Sequence, residues 1–203
     1  VEGKCTTEGI MNQPLHDIHG VGSDKIWAVG KSGMLVALVD AAARKWKKIP
    51  SGSKGNLNAI WATSATDIWI AGETGNIIHG DGTTFKQVDT GIKDFVGDLH
   101  DIWASGPKDV WAVGKFDAIH FDGSKWGRVA EVKSAWRVFG FGAGDIWLVA
   151  KTAKPLHYNG KVATEFEPPH SSEQIWGLSR DDFWVVGANA KVAFNGEVLR
   201  YQK

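Results

Sequence analysis

The amino-acid sequence predicts an all-β fold: a five-bladed β-propeller with four antiparallel strands per blade. Three observations carry this. A Trp-centred block recurs five times, the strand it forms is apolar on both faces, and Asp-Gly or Asn-Gly turns follow at a fixed distance. The block reads Ile-Trp-Ala-Val-Gly at 26–30, Ile-Trp-Ile-Ala-Gly at 68–72 and Val-Trp-Ala-Val-Gly at 110–114. It returns as Ile-Trp-Leu-Val-Ala at 146–150 and Phe-Trp-Val-Val-Gly at 183–187. Its tryptophans, Trp27, Trp69, Trp111, Trp147 and Trp184, lie 42, 42, 36 and 37 residues apart, the length of a four-stranded blade.

Each unit divides in the same order. The first, inner strand reads Ile60-Trp61-Ala62, Ile102-Trp103-Ala104 or Ile175-Trp176-Gly177, and degrades to Ile18-His19-Gly20 and Val138-Phe139-Gly140. A turn follows, with Asp24, Asp67, Asp109, Asp145 or Asp182 before the second strand, where a carboxylate can accept backbone N–H groups and close the turn. The second strand is the Trp block. Ile26 and Ala28 point one way, Trp27 and Val29 the other, so neither face is suited to water. Such a strand must be covered on both sides, as an inner propeller strand is by its neighbours. The third strand is short: Ile77-Ile78-His79, Ala118-Ile119-His120, Pro155-Leu156-His157 and Val192-Ala193-Phe194. Asp81-Gly82, Asp122-Gly123, Asn159-Gly160 and Asn195-Gly196 predict hairpin turns. A fourth strand carries Phe85, Trp126 or Leu199. In the first unit the longer stretch 40–45 replaces the hairpin before Trp46. Residues 1–14 are expected as an N-terminal arm, or as a closing strand through which 1–5 seals the last blade, and residues 15–203 as the propeller, a single domain. A sealed ring is favoured over an open segment.

The composition fits short strands and tight turns, with 11 Trp and 25 Gly against 2 Tyr. Charge is balanced, 23 basic residues against 23 acidic, so no electrostatic footprint points to nucleic acid or an anionic membrane. The longest apolar runs, such as 34–39, are too short to span a bilayer. Cys5 is the single cysteine, which excludes an internal disulfide and is expected to be an unpaired thiol. The chain starts at Val1 without an initiator Met or a signal peptide, as a processed form or an excised domain would. It is expected to be a monomer or part of a larger protein.

The stretch "LHDIWASGPKDVWAVGKFDAIHFDGSKW" resembles the Trp-rich propeller repeats of large surface and secreted proteins of myxobacteria and their relatives. It is similar, more distantly, to tectonin repeats. The resemblance covers nearly the whole chain and implies a propeller, a secreted or cell-surface location, and glycan binding of the kind several tectonin propellers show. It supplies no binding motif that can be carried over residue by residue.

Candidate chemistry is sparse. His79, His120 and His157 repeat at one position on different blades, which suits a structural bond better than a shared metal ion, and His16 and His19 face opposite ways without a completing ligand. No metal and no cofactor are expected. One repeat position holds Asp17, Ala59, Asp101, Arg137 and Gln174, placing Asp17, Asp101 and Arg137 at the mouth of a central channel. Two carboxylates about 5–9 Å apart could serve glycoside hydrolysis; an Asp–Arg network is the structural alternative. The glycine-rich stretch 140–144 lacks phosphate-loop spacing, and 51–55 is a polar linker without nucleophile spacing. Phe95 and Trp136 fall at connections between blades, where a ring either covers a seam or stacks against a ligand. The expected function is therefore a non-catalytic binding module, with lectin-like glycan recognition leading. Phe95, Trp136, His100, Asp101 and Arg137 are the candidate ligand contacts. A protein-interaction scaffold is the alternative, and a small hydrolase using Asp17 and Asp101 the third reading.

Overall fold

A computed structural model describes residues 13–93, 97–116, 118–132, 135–149, 154–165, 171–188 and 196–202. These residues form nineteen strands in five antiparallel sheets. The first sheet is β1 (Leu15–Gly20), β2 (Ile26–Gly30), β3 (Leu35–Asp40) and β4 (Lys45–Lys48); the second is β5 (Leu57–Ser64), β6 (Asp67–Gly72), β7 (Ile77–Gly80) and β8 (Phe85–Gln87). The third is β9 (Leu99–Gly106), β10 (Asp109–Gly114), β11 (Ala118–Phe121) and β12 (Trp126–Arg128). The fourth is β13 (Arg137–Gly142), β14 (Asp145–Val149), β15 (Leu156–Tyr158) and β16 (Ala163–Glu165). The last holds β17 (Ser171–Ser179), β18 (Asp182–Ala188) and β19 (Gly196–Gln202).

Each sheet is an up-and-down meander, and the first strands pack side by side in sequence order, β1 on β5, β5 on β9, β9 on β13 and β13 on β17. The second strands of the first four sheets are largely buried, with every residue of β6 and of β14 covered as the two-faced apolar pattern demands, whereas in β18 Trp184 is half-buried and Val186 exposed. Trp69 packs edge-on against Trp126 of the next sheet, Trp111 against Tyr158, and Trp147 against Phe183. Burying one indole removes about 150–250 Å² from water, a contribution of about 4–6 kcal/mol before entropy is charged against it. The indoles thus join neighbouring sheets.

Two expectations change. The segment predicted as the fourth strand of the last unit, around Leu199, pairs directly along β18, from Asp182↔Gln202 to Ala188↔Gly196, and so takes the third place in its sheet. Val192, Ala193 and Phe194 lie outside the described residues, as do residues 1–12, which include the proposed closing segment. Second, the aspartates before the Trp block do not close turns on backbone N–H groups. Asp67 accepts from the Trp69 indole (2.9 Å), from His79 Nε2 (2.7 Å) and from the Thr63 hydroxyl. Asp109 likewise takes Trp111 (3.0 Å), His120 (2.7 Å) and Ser105. Register explains it: Trp69 faces His79 across β6 and β7, so one carboxylate two residues before the Trp reaches both rings. The hairpin aspartates do the turn-closing instead. Each accepts a hydroxyl and two backbone N–H groups: the Ser124 hydroxyl first, then the Lys125 and Ser124 amides, hold Asp122 down at about 2, and the Thr84 and Thr83 amides with the Thr83 hydroxyl do the same for Asp81.

Candidate functional site

All five first strands border one axial cavity of about 300 Å³, lined by Asp17, Asp101, Arg137 and Gln174 among others. This is the repeat position singled out in the sequence, and the structure brings its polar members together. Asp17 and Asp101 have a mechanical task. The two oxygens of Asp17 accept the N–H of Ile18 (2.9 Å) and, on the neighbouring strand β5, of Ile60 (2.8 Å). Asp101 repeats the arrangement with Ile102 (3.0 Å) and with Val138 of β13 (2.9 Å). Two first strands in side-by-side contact, without a backbone ladder between them, are fastened by a carboxylate from one to an amide of the other. His16 and Asn58 do the same from the preceding repeat position, onto the carbonyls of Leu57 (2.9 Å) and Leu99 (2.7 Å).

The electrostatics follow from this enclosure. Burial pushes the Asp101 carboxyl up to about 7; the amides of Val138 and Ile102 and the Arg137 charge oppose the shift, and the Asp17 charge adds to it. Burial also raises Asp17, against the Ile60 and Ile18 amides and Arg137. Arg137 donates Nε to Gln174 Oε1 (3.1 Å) and Nη1 to the Trp136 carbonyl (3.2 Å), two of the five N–H bonds of its guanidinium. Its guanidinium carbon lies 5.9 Å from the Trp136 ring centre, and that half-buried ring packs on His100 with centroids 4.0 Å apart. Of the five sequence-predicted contacts, Asp101 and Arg137 line the cavity, while Trp136 and His100 lie outside its lining and adjoin it through Arg137. Phe95 lies outside the described residues.

Sequence reasoning passed over Gln174 as a contact, and also His19, Trp61 and Trp176, which line the same cavity. The signal was available, because these three rings share one repeat position two residues beyond the Asp17 position. Among the described residues no three His, Cys, Asp or Glu side chains converge as metal ligands would, and no helix is long and apolar enough to cross a membrane. The repeated histidines are each held by an aspartate of their own sheet, His157 by Asp145 at 2.6 Å as in the two cases above.

No protein-family model and no curated protein sequence matches the chain. Solved structures do. YCF48 bound to D1 peptide matches 94% of this chain and 68% of its own, with a TM-score of 0.66 and 14% identity. The WD40 β-propeller domain of Doa1 matches 95% of this chain and 69% of its own, with a TM-score of 0.67 and 13% identity. Virginiamycin B lyase from Staphylococcus aureus matches 95% of this chain and 71% of its own, with a TM-score of 0.74 and 13% identity. At such identities the likeness establishes the fold, a β-propeller, and nothing finer. The neighbours include an enzyme and a peptide complex on the same architecture.

Proposed function

We propose that this chain is a non-catalytic binding module built on a five-bladed propeller, and that it recognises a peptide segment of another protein at the axial mouth. The observation that carries the reading is the division of labour around the cavity. Asp17 and Asp101 are committed through both oxygens to backbone amides, whereas Arg137 spends two of its five donors and sits beside the Trp136 ring. A peptide carboxylate on the guanidinium and an apolar side chain on the indole suit that pair. A cavity of about 300 Å³ lies at the lower end of the range of ligand pockets and has room for one or two side chains of a peptide. The peptide complex of the YCF48 propeller supports the reading by fold analogy.

Glycan recognition is the second reading, favoured by the Trp136 ring, packed at a tilt on His100 beside polar groups. With it goes the resemblance of the repeats to myxobacterial and tectonin propellers and a place on the cell surface.

The test is a peptide array and a glycan array probed in parallel with the purified chain and with Arg137→Ala and Trp136→Ala. Peptide binding that falls at least tenfold in both variants, with an unchanged near-ultraviolet circular dichroism spectrum, is the expected result. Signal on sugars alone selects the second reading, and variants that bind like the parent remove the axial mouth from the account.

A further inference from the structure

The repeat is broken at one place, and a groove opens there. In four sheets the residue two before the block tryptophan is an aspartate, and the residue facing that tryptophan on the third strand is cationic or can become so: Asp67 with His79, Asp109 with His120, Asp145 with His157, Asp182 with Arg200. In the first sheet these two positions are Lys25 and Ala37, the latter facing Trp27. Asp24, expected to play the aspartate's part, lies one residue too early and pairs with Lys25 at 3.0 Å. A third departure lies on the next sheet. Phe121 and Tyr158, which stand near Trp69 and Trp111, share a repeat position with Gly80, so no ring reaches from that position toward Trp27.

The consequences are physical. Trp27 is 3% exposed and its indole N–H is buried with no acceptor among the described residues, whereas the indoles of Trp69 and Trp111 donate to Asp67 and Asp109. Leaving such a donor unmet costs about 1–3 kcal/mol. Beside it lies a groove of about 510 Å³ between the first two sheets, floored by Trp27, Ala37 and Ile49, with three lysines, Lys25, Lys47 and Lys48, and one carboxylate, Asp81, among its polar lining. All three lysines are exposed. An apolar floor, a cationic rim and a buried donor lacking its carboxylate call for one kind of occupant.

We propose that this groove is a second binding site, distinct from the axial mouth, for an extended acidic peptide. An Asp or Glu of the peptide supplies in trans the carboxylate that the other repeats carry at the Asp67 position, reaching the Trp27 indole N–H once the Lys25 side chain swings aside. A neighbouring apolar side chain lies on Ala37 and Ile49, and further acidic residues meet Lys47 and Lys48. A neutral sugar would leave the lysines unanswered.

The probe is a fluorescein-labelled hexapeptide alternating Glu and Leu, with its Lys-for-Glu counterpart and an acidic oligosaccharide as comparisons. Anisotropy reads affinity, and the ¹⁵N indole resonance of Trp27, assigned by Trp27→Phe, reads the place. The acidic peptide should bind, and it should move that resonance. Lys25→Asp combined with Ala37→His rebuilds the network of the other sheets and should abolish binding while raising the melting temperature. Lys47→Glu with Lys48→Glu, both on the surface, should weaken binding at least tenfold, and all titrations are read in the Arg137→Ala background so that a carboxylate held at the axial mouth does not contribute. A peptide that does not bind, a resonance that does not move, oligosaccharide binding in place of peptide binding, or full affinity in the rebuilt variant overturns the proposal.

Discussion

Asp101 shows how a single side chain can be placed by sequence and yet be misjudged in its role. Its repeat position suggests a channel mouth beside Arg137, and in the structure both residues line one cavity. What the sequence could not supply is the partner. The amide of Val138 belongs to another sheet, and a backbone group has no letter of its own, so an apparent acid became a fastener. The same holds for His79 and His120: repetition marked them as structural, but the aspartate hydrogen-bonded to each lies across a strand pair and was assigned to the turn. The Asp101 environment has a measurable consequence. Its carboxyl titrates in the fold at about 7, above its ordinary value of 3.8, so the protonated form is the one the fold prefers. Stability from this group is complete below about pH 4 and is lost as pH rises through 7. Burial lowers the pKa of His19, which acts in the opposite sense near its own titration, so the comparison must isolate Asp101. From pH 8 down to pH 5, parent and Asp101→Asn should diverge by on the order of 2 kcal/mol in favour of the parent, read by urea unfolding. A constant difference over that range would show that the carboxyl stays ionised.

At the scale of elements, the second strands and hairpins were legible because their signals are local. A run apolar on both faces and an Asp-Gly pair need no knowledge of the rest of the chain. The first strands were legible only in their centres: β5 and β9 run to eight residues each, because their ends pair with β6 and β10 through register shifts that no alternation pattern announces. The fate of residues 196–202 was misread because a four-strand template was imposed on a unit that places them beside β18. Turn chemistry yields a paired prediction. Gly82 has φ of +89°, and a Cβ there would meet the Ala65 carbonyl oxygen at 2.4 Å. Gly91 has φ of +65° with nothing within 4 Å of the same atom. Substituting Ala at Gly91 should cost only the left-handed backbone strain, about 1–2 kcal/mol. At Gly82 the clash with backbone adds to that strain, and the loss should exceed the Gly91 loss by at least about 1 kcal/mol. Equal losses in chemical denaturation would mean that the second hairpin shifts away from Ala65 at no cost.

For the whole molecule, the seams between sheets are not equally fastened. Between β1 and β5 three side chains reach across to backbone: His16 to Leu57, Asp17 to Ile60 and His19 to Ala62. Between β5 and β9 Asn58 and the Trp61 indole do so. Between the fourth and fifth sheets the polar links among the described residues are side-chain pairs, Arg137 with Gln174 and Arg180 with Asp145, beside the packing of Trp147 on Phe183. The exposed Arg137–Gln174 hydrogen bond contributes little, about 1 kcal/mol, and only the Arg180 end of the second pair reaches water. The last sheet also keeps apolar surface in water, with Trp176 at 54%, Leu178 at 77% and Val198 at 69% exposure. Sheets held mainly through one seam open separately from those held on both sides, and hydrogen exchange reads this directly. The amides of β6 and β10 should exchange only through global unfolding, while those of β18 exchange through an opening at least about 2 kcal/mol less costly. The same measurement bears on the proposed five-bladed ring. A ring closed from β17 onto β1 would clamp the last sheet from both sides, and β18 would then share the protection of β6. Early exchange in β18 would identify the seam between the first and last sheets as the place where the propeller yields.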